Sequence, residues 1–474
     1  MAQLVQGSQK WIRHNSLLWQ RWLVTAFVLL LAPAIGYVAS PHYTRLVLVG
    51  MLGLVIGIAV VRLLLRWPAL GLVLLIPANM VVPFAIGTGT NTSIHATILL
   101  IALLLALWIY QMWSSGEGFR LYQSGTIPPL LLLIVVAVLA FFSGQLPWFQ
   151  SAHAPLPAQL GGLSVFVLSA GAFLLAVHRY EEQRWLEWTV WLLLVLGTIY
   201  VGFRVIPGMF RYSGYFYTWG STSSQFWTWF VVLLFSQALL NDRLSVGWRG
   251  LLWAILAVTL YSILFQTGDW KSGWIPPLIA MGAVMLLRWW QTSFLMVAGG
   301  VVGIPILIGA LIASDAYSYE TRIDAWMVLL NIIRVNPILG VGPANYYYYT
   351  PLFGIRGYAV QFNSHNQYFD IVLQAGVLGL ACVLWFFAAV AQAGWRLRNR
   401  VEDGFARAYV YGALGGLVAT VASSFLGDWF LPFVYNVSLA GMRSSILAWL
   451  FLGGLIALER MSATEPAAAV RARR

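Results

Sequence analysis

Charge is what this 474-residue chain has least of. Asp, Glu, Lys and Arg make up 9% of the residues, against 60% hydrophobic. A soluble domain carries about a quarter charged residues. So little polar surface cannot cover a core of this size, and the surrounding medium must be largely hydrocarbon. Cysteine is scarcer still. Cys382 stands alone inside an apolar run, which excludes an intrachain disulfide framework and a Cys-based zinc site. His14, His42, His95, His153, His178 and His365 show no ligand spacing, and no HExxH, GxxxxGK[ST] or paired Cys/His motif is present. Metal and nucleotide cofactors therefore have no support in the sequence. The net charge of +12 would suggest nucleic acid in a soluble protein. In a lipid-embedded one, cations set topology and meet anionic headgroups, so no nucleic-acid partner is expected.

What is present is a succession of apolar runs, each about as long as the 20 or so residues a spanning helix needs. They lie near 22–39, 46–65, 69–86, 94–113, 127–143, 160–177, 186–203, 224–240, 250–265, 274–288, 293–313, 368–394, 408–426 and 444–458. Some are short, and Pro276-Pro277 interrupts the tenth, so 12–14 transmembrane helices are expected in an all-α polytopic membrane protein. The first run has another directly behind it and reads as a span rather than a cleavable signal peptide. With the N-terminus inside, 19 of the 27 Lys and Arg residues fall on inside segments. By the positive-inside rule both termini are expected in the cytoplasm. The chain divides into an N-terminal scaffold at 1–203, a bundle with outer polar loops at 204–313, an extracytoplasmic loop at 314–367, a C-terminal bundle at 368–460 and a basic tail at 461–474.

The exceptions to the charge rule point to function. Seven of the eight outside cations fall after residue 200: Arg204, Arg211, Lys271, Arg322, Arg334, Arg356 and Arg443. As a group they predict a site for an anionic ligand, and arginine suits phosphate because its planar fork binds two oxygens. Snorkelling to headgroups accounts equally well for any one of them. Segment 204–217 interleaves Arg204 and Arg211 with aromatic and glycine residues, as a sugar- or headgroup-contacting surface would, or an interfacial girdle. The 314–367 loop concentrates the rest. Trp326, Leu329, Leu330 and Ile333 recur at helical spacing and predict a helix from about Tyr319 to Val335, ended by Asn336-Pro337. Gly340-Val341-Gly342-Pro343 permits a sharp turn or close approach to a ligand. Four tyrosines follow, Tyr346 to Tyr349, and Ser364-His365-Asn366 precedes the next span. A neutral imidazole there can accept a proton, while Ser364 and Asn366 also read as helix caps.

Arg322, Trp326, Asn336-Pro337-Ile338-Leu339-Gly340-Val341-Gly342 and His365-Asn366 before a span together resemble the O-antigen ligase and O-antigen polymerase superfamily, over roughly 200–395. Arg211-x-x-Gly214 is similar to a second family element. Lys271-Ser272-Gly273 stands where many members have Ser-Arg-Gly, which keeps a cation but not its bidentate geometry. Gly220-Ser221-Thr222-Ser223 replaces a frequent Pro-Asn pair. The resemblance implies a GT-C-like glycosyltransferase of the bacterial inner membrane that works without metal or nucleotide. The donor would be a glycan on undecaprenyl diphosphate, and the acceptor a hydroxyl of lipid A–core or of another glycan. It implies His365 as base and Arg322, with Arg211 and Lys271, on the diphosphate. Arg204, Asn366 and Tyr347 are further candidate contacts to donor or glycan. A transporter of lipid-linked glycan, an enzyme that transfers oligosaccharide to protein hydroxyls and a non-catalytic assembly protein are the competing readings.

Overall fold

The computed structural model describes residues 44–87, 92–116, 120–289, 309, 313 and 316–472. The helices are α1 (Thr44–Arg66), α2 (Pro68–Met80), α3 (Ala96–Ser114), α4 (Ile127–Ser143), α5 (Leu156–Arg179), α6 (Gln183–Val205), α7 (Phe210–Phe216), α8 (Ser224–Leu240) and α9 (Val246–Tyr261). They continue with α10 (Lys271–Arg288), α11 (Ala316–Ile333), α12 (Tyr346–Tyr349), α13 (Gln367–Leu397), α14 (Phe405–Ser423) and α15 (Met442–Ala472). Helix α1 belongs to a first unit ending at Trp67, and everything from Pro68 onward forms a second. Among the described residues seven helices are long and apolar enough to cross a membrane, with α2, α4 and α8 as shorter apolar helices. The protein is an all-α polytopic membrane protein.

Twelve of the fourteen apolar runs fall on these helices, while 22–39, and 293–313 apart from residues 309 and 313, lie outside the described residues. Two runs behave differently from expectation. Helix α2 stops at Met80, because Pro83 bars its continuation. The chain then folds into a small antiparallel hairpin, β1 (Ala85–Gly87) on β2 (Ser93–His95), with Ile86 opposite Ile94. Helix α10 runs through Pro276-Pro277 without the interruption expected there.

Helix α8 is apolar all round (Phe226, Trp227, Trp229, Phe230 and Val231 to Phe235), so no face can meet water and nearly every residue is buried. It packs on α14 and α10, while α15 packs on α5. Helices α4 and α9 instead expose apolar residues outward, among them Leu132, Val135, Leu139 and Phe142, and Leu251 and Val258. Such patches suit a lipid-facing surface.

Hydrogen bonds sort the connecting segments into two ends. At one end Tyr122 N donates to His178 Nε2 (2.9 Å), Arg460 Nη2 to Tyr180 O (3.0 Å) and Arg243 to Glu402 (2.7 Å). At the other end Thr218 N donates to Met80 O (2.7 Å), Asn336 Nδ2 to Ser143 Oγ (2.9 Å) and Gln367 N to Ser424 O (2.8 Å). The segments expected inside and those expected outside thus separate to opposite ends of the second unit, and the polar loop sits at the second end.

Candidate active site

The segment after α11 is built around a break in a helix. Gly376 interrupts α13 with φ 68° and ψ −175°. Breaking the helix frees backbone groups that hydrocarbon cannot satisfy. The Pro337–Val341 turn supplies the partners: Val341 N donates to Leu373 O and Val377 N to Pro337 O, each at 2.8 Å. A side chain at Gly376 would meet Ile338 O at 1.9 Å, and one at Gly340 (φ 69°) would meet Leu373 O at 2.6 Å. The close approach foreseen for the glycine motif is therefore to α13. The motif docks the loop on the span, and a cluster of Leu329, Ile332, Val341, Tyr346, Leu373 and Phe433 fills the space beneath.

That docking places His365. Trp326 of α11 stacks on Phe369 of α13 (ring centres 5.4 Å apart, 12° between planes) and its indole N–H donates to Ser364 O at 2.9 Å. The Ser364 hydroxyl sits 2.8 Å from Asp370 Oδ1 and accepts from Asn366 N at 2.9 Å. The Tyr346 hydroxyl donates to the same Asp370 oxygen. On the other side His365 N donates to Asn363 Oδ1 (3.1 Å), Asn363 Nδ2 to Asn436 Oδ1 (3.1 Å), and Asn436 to Asp428. Two buried carboxylates, Asp370 and Asp428, thus anchor the residues flanking His365, whose own backbone is left-handed at φ 47°. A non-glycine residue held there costs on the order of 1 kcal/mol or more and persists only where its surroundings over-determine it.

The His365 side chain faces a cleft. A cavity of about 580 Å³ is lined by Lys271, Arg322 and His365 together with Trp270, Trp429 and Asp428, among others. Lys271 comes from the first turn of α10, Arg322 from α11 and His365 from the segment before α13, so three stretches separated in sequence meet at one place. The cleft walls desolvate the imidazolium and the Arg322 charge opposes it, and both push His365 below the usual histidine value. Burial pushes the Asp428 carboxyl up to about 6, against the opposing hydrogen bonds from Phe433 N (2.6 Å) and Asn436.

The other sequence candidates are placed elsewhere. Arg204 donates to Ser262 Oγ (3.0 Å), its guanidinium 5.4–6.0 Å from the rings of Phe210, Trp227 and Tyr200. Arg211 is exposed on α7, over the ring of Tyr212 at 4.8 Å. Tyr347 stacks on Tyr435 (4.7 Å, 8°). Asn366 is buried and caps α13, its Oδ1 accepting from Tyr368 N and Phe369 N at 3.0 and 3.4 Å. None of these four lines the cavity. Two of the outside cations have structural work. Arg443 donates to Ala78 O, Asn79 O and Phe84 O at 3.0–3.1 Å, and Arg356 pairs with Asp324 and Glu320 on α11. His153 bonds Gly144 O at 2.9 Å, as a structural histidine would. Sequence reasoning missed Trp270, Asn363, Asp428, Trp429 and Asn436. Trp270 and Asp428 adjoin residues with clear turn or span-end signals, but only the fold brings them to the cleft.

The architecture and the polar cleft at one end define the class: a polytopic membrane protein whose bundle carries a cation-lined cavity beside a histidine. Residues 230–384, about a third of the chain, match the family model described as O-Antigen ligase. The matched segment takes in Lys271, Arg322 and His365. No curated protein matches the chain.

Proposed function

We propose that the chain is a metal-independent, inverting glycosyltransferase of the GT-C kind, and that it moves a glycan from undecaprenyl diphosphate to an acceptor hydroxyl, as an O-antigen ligase does. The observation that carries this reading is the meeting of Lys271, Arg322 and His365 at one cavity. The acceptor O–H attacks the anomeric carbon and gives its proton to the neutral His365 imidazole. The bond from that carbon to the phosphate oxygen breaks, and the electron pair leaves on the lipid diphosphate. Lys271 and Arg322 hold that charge. A positioned base contributes roughly 10²–10⁴-fold, and a preorganised charge donor roughly 10²–10³-fold.

Sidedness follows from charge. The end opposite the cleft carries Arg179, Arg243, Arg249, Arg396, Arg400, Arg407 and Arg460, which supports a cytoplasmic position for that end and a cleft opening on the outer side of the bacterial inner membrane.

The test uses the full chain in proteoliposomes with undecaprenyl-diphosphate-linked glycan and lipid A–core. The reading requires a new glycosidic bond, and Lys271→Gln or Arg322→Gln should each lower turnover about 100-fold. One-step transfer to lipid A–core means ligase, and a ladder grown on the donor lipid means polymerase. Movement of the lipid-linked glycan across the bilayer with no new bond would replace the reading with a transporter.

A further inference from the structure

A second cavity, of about 520 Å³, adjoins the first. Both are lined by Ser318, Arg322 and His365, and beyond those three their chemistry diverges. The first adds Lys271, the carboxyl groups of Asp269 and Asp428, and an apolar wall that includes Ile275 of α10, Phe425 and Leu426 just past α14, and Trp429 and Val437 of the loop before α15. The second adds no further charged side chain: its polar lining is Tyr317, Thr321, Gln361, Asn363 and Ser364. Its outer wall is the segment 355–362, strapped to α11 by Arg356, which reaches Asp324 at 2.6 Å and Glu320 at 3.3 Å and lies over the ring of Tyr317 at 5.3 Å.

We infer that the two cavities divide the substrates, the Lys271 cavity taking the lipid diphosphate of the donor and the Thr321–Gln361–Asn363 cavity taking the terminal sugar of the acceptor as a neutral polyol. This rests on the proposed glycosyl transfer. A diphosphate needs cations and its polyprenyl chain needs an apolar wall, and the first cavity offers both. A sugar presents hydroxyls that are matched by amides, hydroxyls and aromatic edges, and the second offers those. Inverting displacement requires nucleophile and leaving group on opposite sides of the anomeric carbon. Two cavities that share Arg322 and His365 supply that arrangement, with the base beside the acceptor oxygen and the cations beside the departing one. Each volume falls within the roughly 300–1,000 Å³ of ordinary ligand sites. Gln361 and Thr321 are then specificity residues for the acceptor.

Thiol labelling tests this without relying on turnover. The lone Cys382 is buried, so the wild type serves as the blank for a membrane-impermeant maleimide. Val437→Cys reports on the first cavity and Gln361→Cys on the second. The probes are undecaprenyl diphosphate and the lipid-free core oligosaccharide released by mild acid from lipid A–core. Undecaprenyl diphosphate should slow labelling of Val437→Cys only, and the oligosaccharide that of Gln361→Cys only, each about tenfold at ten times the Kd. The reversed pattern, protection of both thiols by one probe, or no protection of Gln361→Cys by the oligosaccharide overturns the division while leaving the transfer reaction standing. No protection of either thiol by undecaprenyl diphosphate removes the division and the donor reading together. In the transfer assay Gln361→Ala and Thr321→Val should raise the acceptor KM about tenfold, the loss of about one hydrogen bond, with donor KM unmoved. A shift in donor KM instead contradicts the assignment.

Discussion

Replacing Gly376 by alanine should unfasten the active-site loop from its membrane helix. The backbone there (φ 68°, ψ −175°) lies in a region open essentially to glycine, and alanine would carry about 1–3 kcal/mol of strain. Strain is the smaller part. The new methyl would sit 1.9 Å from Ile338 O and 2.5 Å from Leu339 N, which are backbone atoms and cannot swing aside. The Pro337–Val341 turn must then lift away, and the bonds from Val341 N to Leu373 O and from Val377 N to Pro337 O go with it. Each buried group left unpaired costs about 1–3 kcal/mol. Together these exceed about 4 kcal/mol, among the largest effects of single substitutions. Thermal unfolding of the purified protein in detergent, followed by intrinsic fluorescence, should show Gly376→Ala melting roughly 5–10 °C below wild type. Gly354→Ala, where an added Cβ meets nothing within 4 Å, should stay within about 0.5 kcal/mol of wild type and is the control. Equal melting of Gly376→Ala, Gly354→Ala and wild type would refute the docking role assigned to the glycine motif.

Two other predictions concern charge. His365 is held below the usual histidine value by burial first and by Arg322 second, so its neutral, proton-accepting form persists further into acid. The acid limb of turnover should therefore lie below about pH 6.5, and Arg322→Gln should move it upward. A wild-type limb above that pH, or one that Arg322→Gln moves downward, contradicts the assignment. Arg443 is buried on three carbonyls, and Arg443→Ala should cost about 3 kcal/mol or more in thermal stability while the protein that remains folded keeps its donor KM. A changed donor KM without a loss of stability would return Arg443 to the ligand site.

The span pattern was legible because hydrocarbon length is a strong constraint and acts locally. The helix expected at 319–335 appears as Ala316–Ile333, since apolar periodicity and Asn336-Pro337 are local signals as well. The hairpin at 85–95 was not legible. Gly87-Thr88-Gly89-Thr90-Asn91-Thr92-Ser93 reads as a polar loop between two apolar runs, and no local signal marks the strand pairing across it. Charge accounting singled out the outside cations but could not say what each one faces. Lys271 and Arg322 reach the cleft, Arg443 caps carbonyls, and Arg356 straps a loop to α11. A long flexible side chain meets either a ligand or the protein's own carbonyls and carboxylates, and that choice is made in tertiary structure. For the same reason Asn363, Asn436 and Asp428 escaped notice: their value lies in a chain of bonds across segments more than 60 residues apart in sequence.

The central claim is that His365 takes the acceptor proton at a site that holds a lipid diphosphate, and single-turnover transfer by His365→Gln tests it most directly. With undecaprenyl-diphosphate-linked glycan bound to the purified, folded variant at wild-type affinity, the rate of glycosidic bond formation should fall roughly 10²–10⁴-fold. Transfer at the wild-type rate would contradict the account.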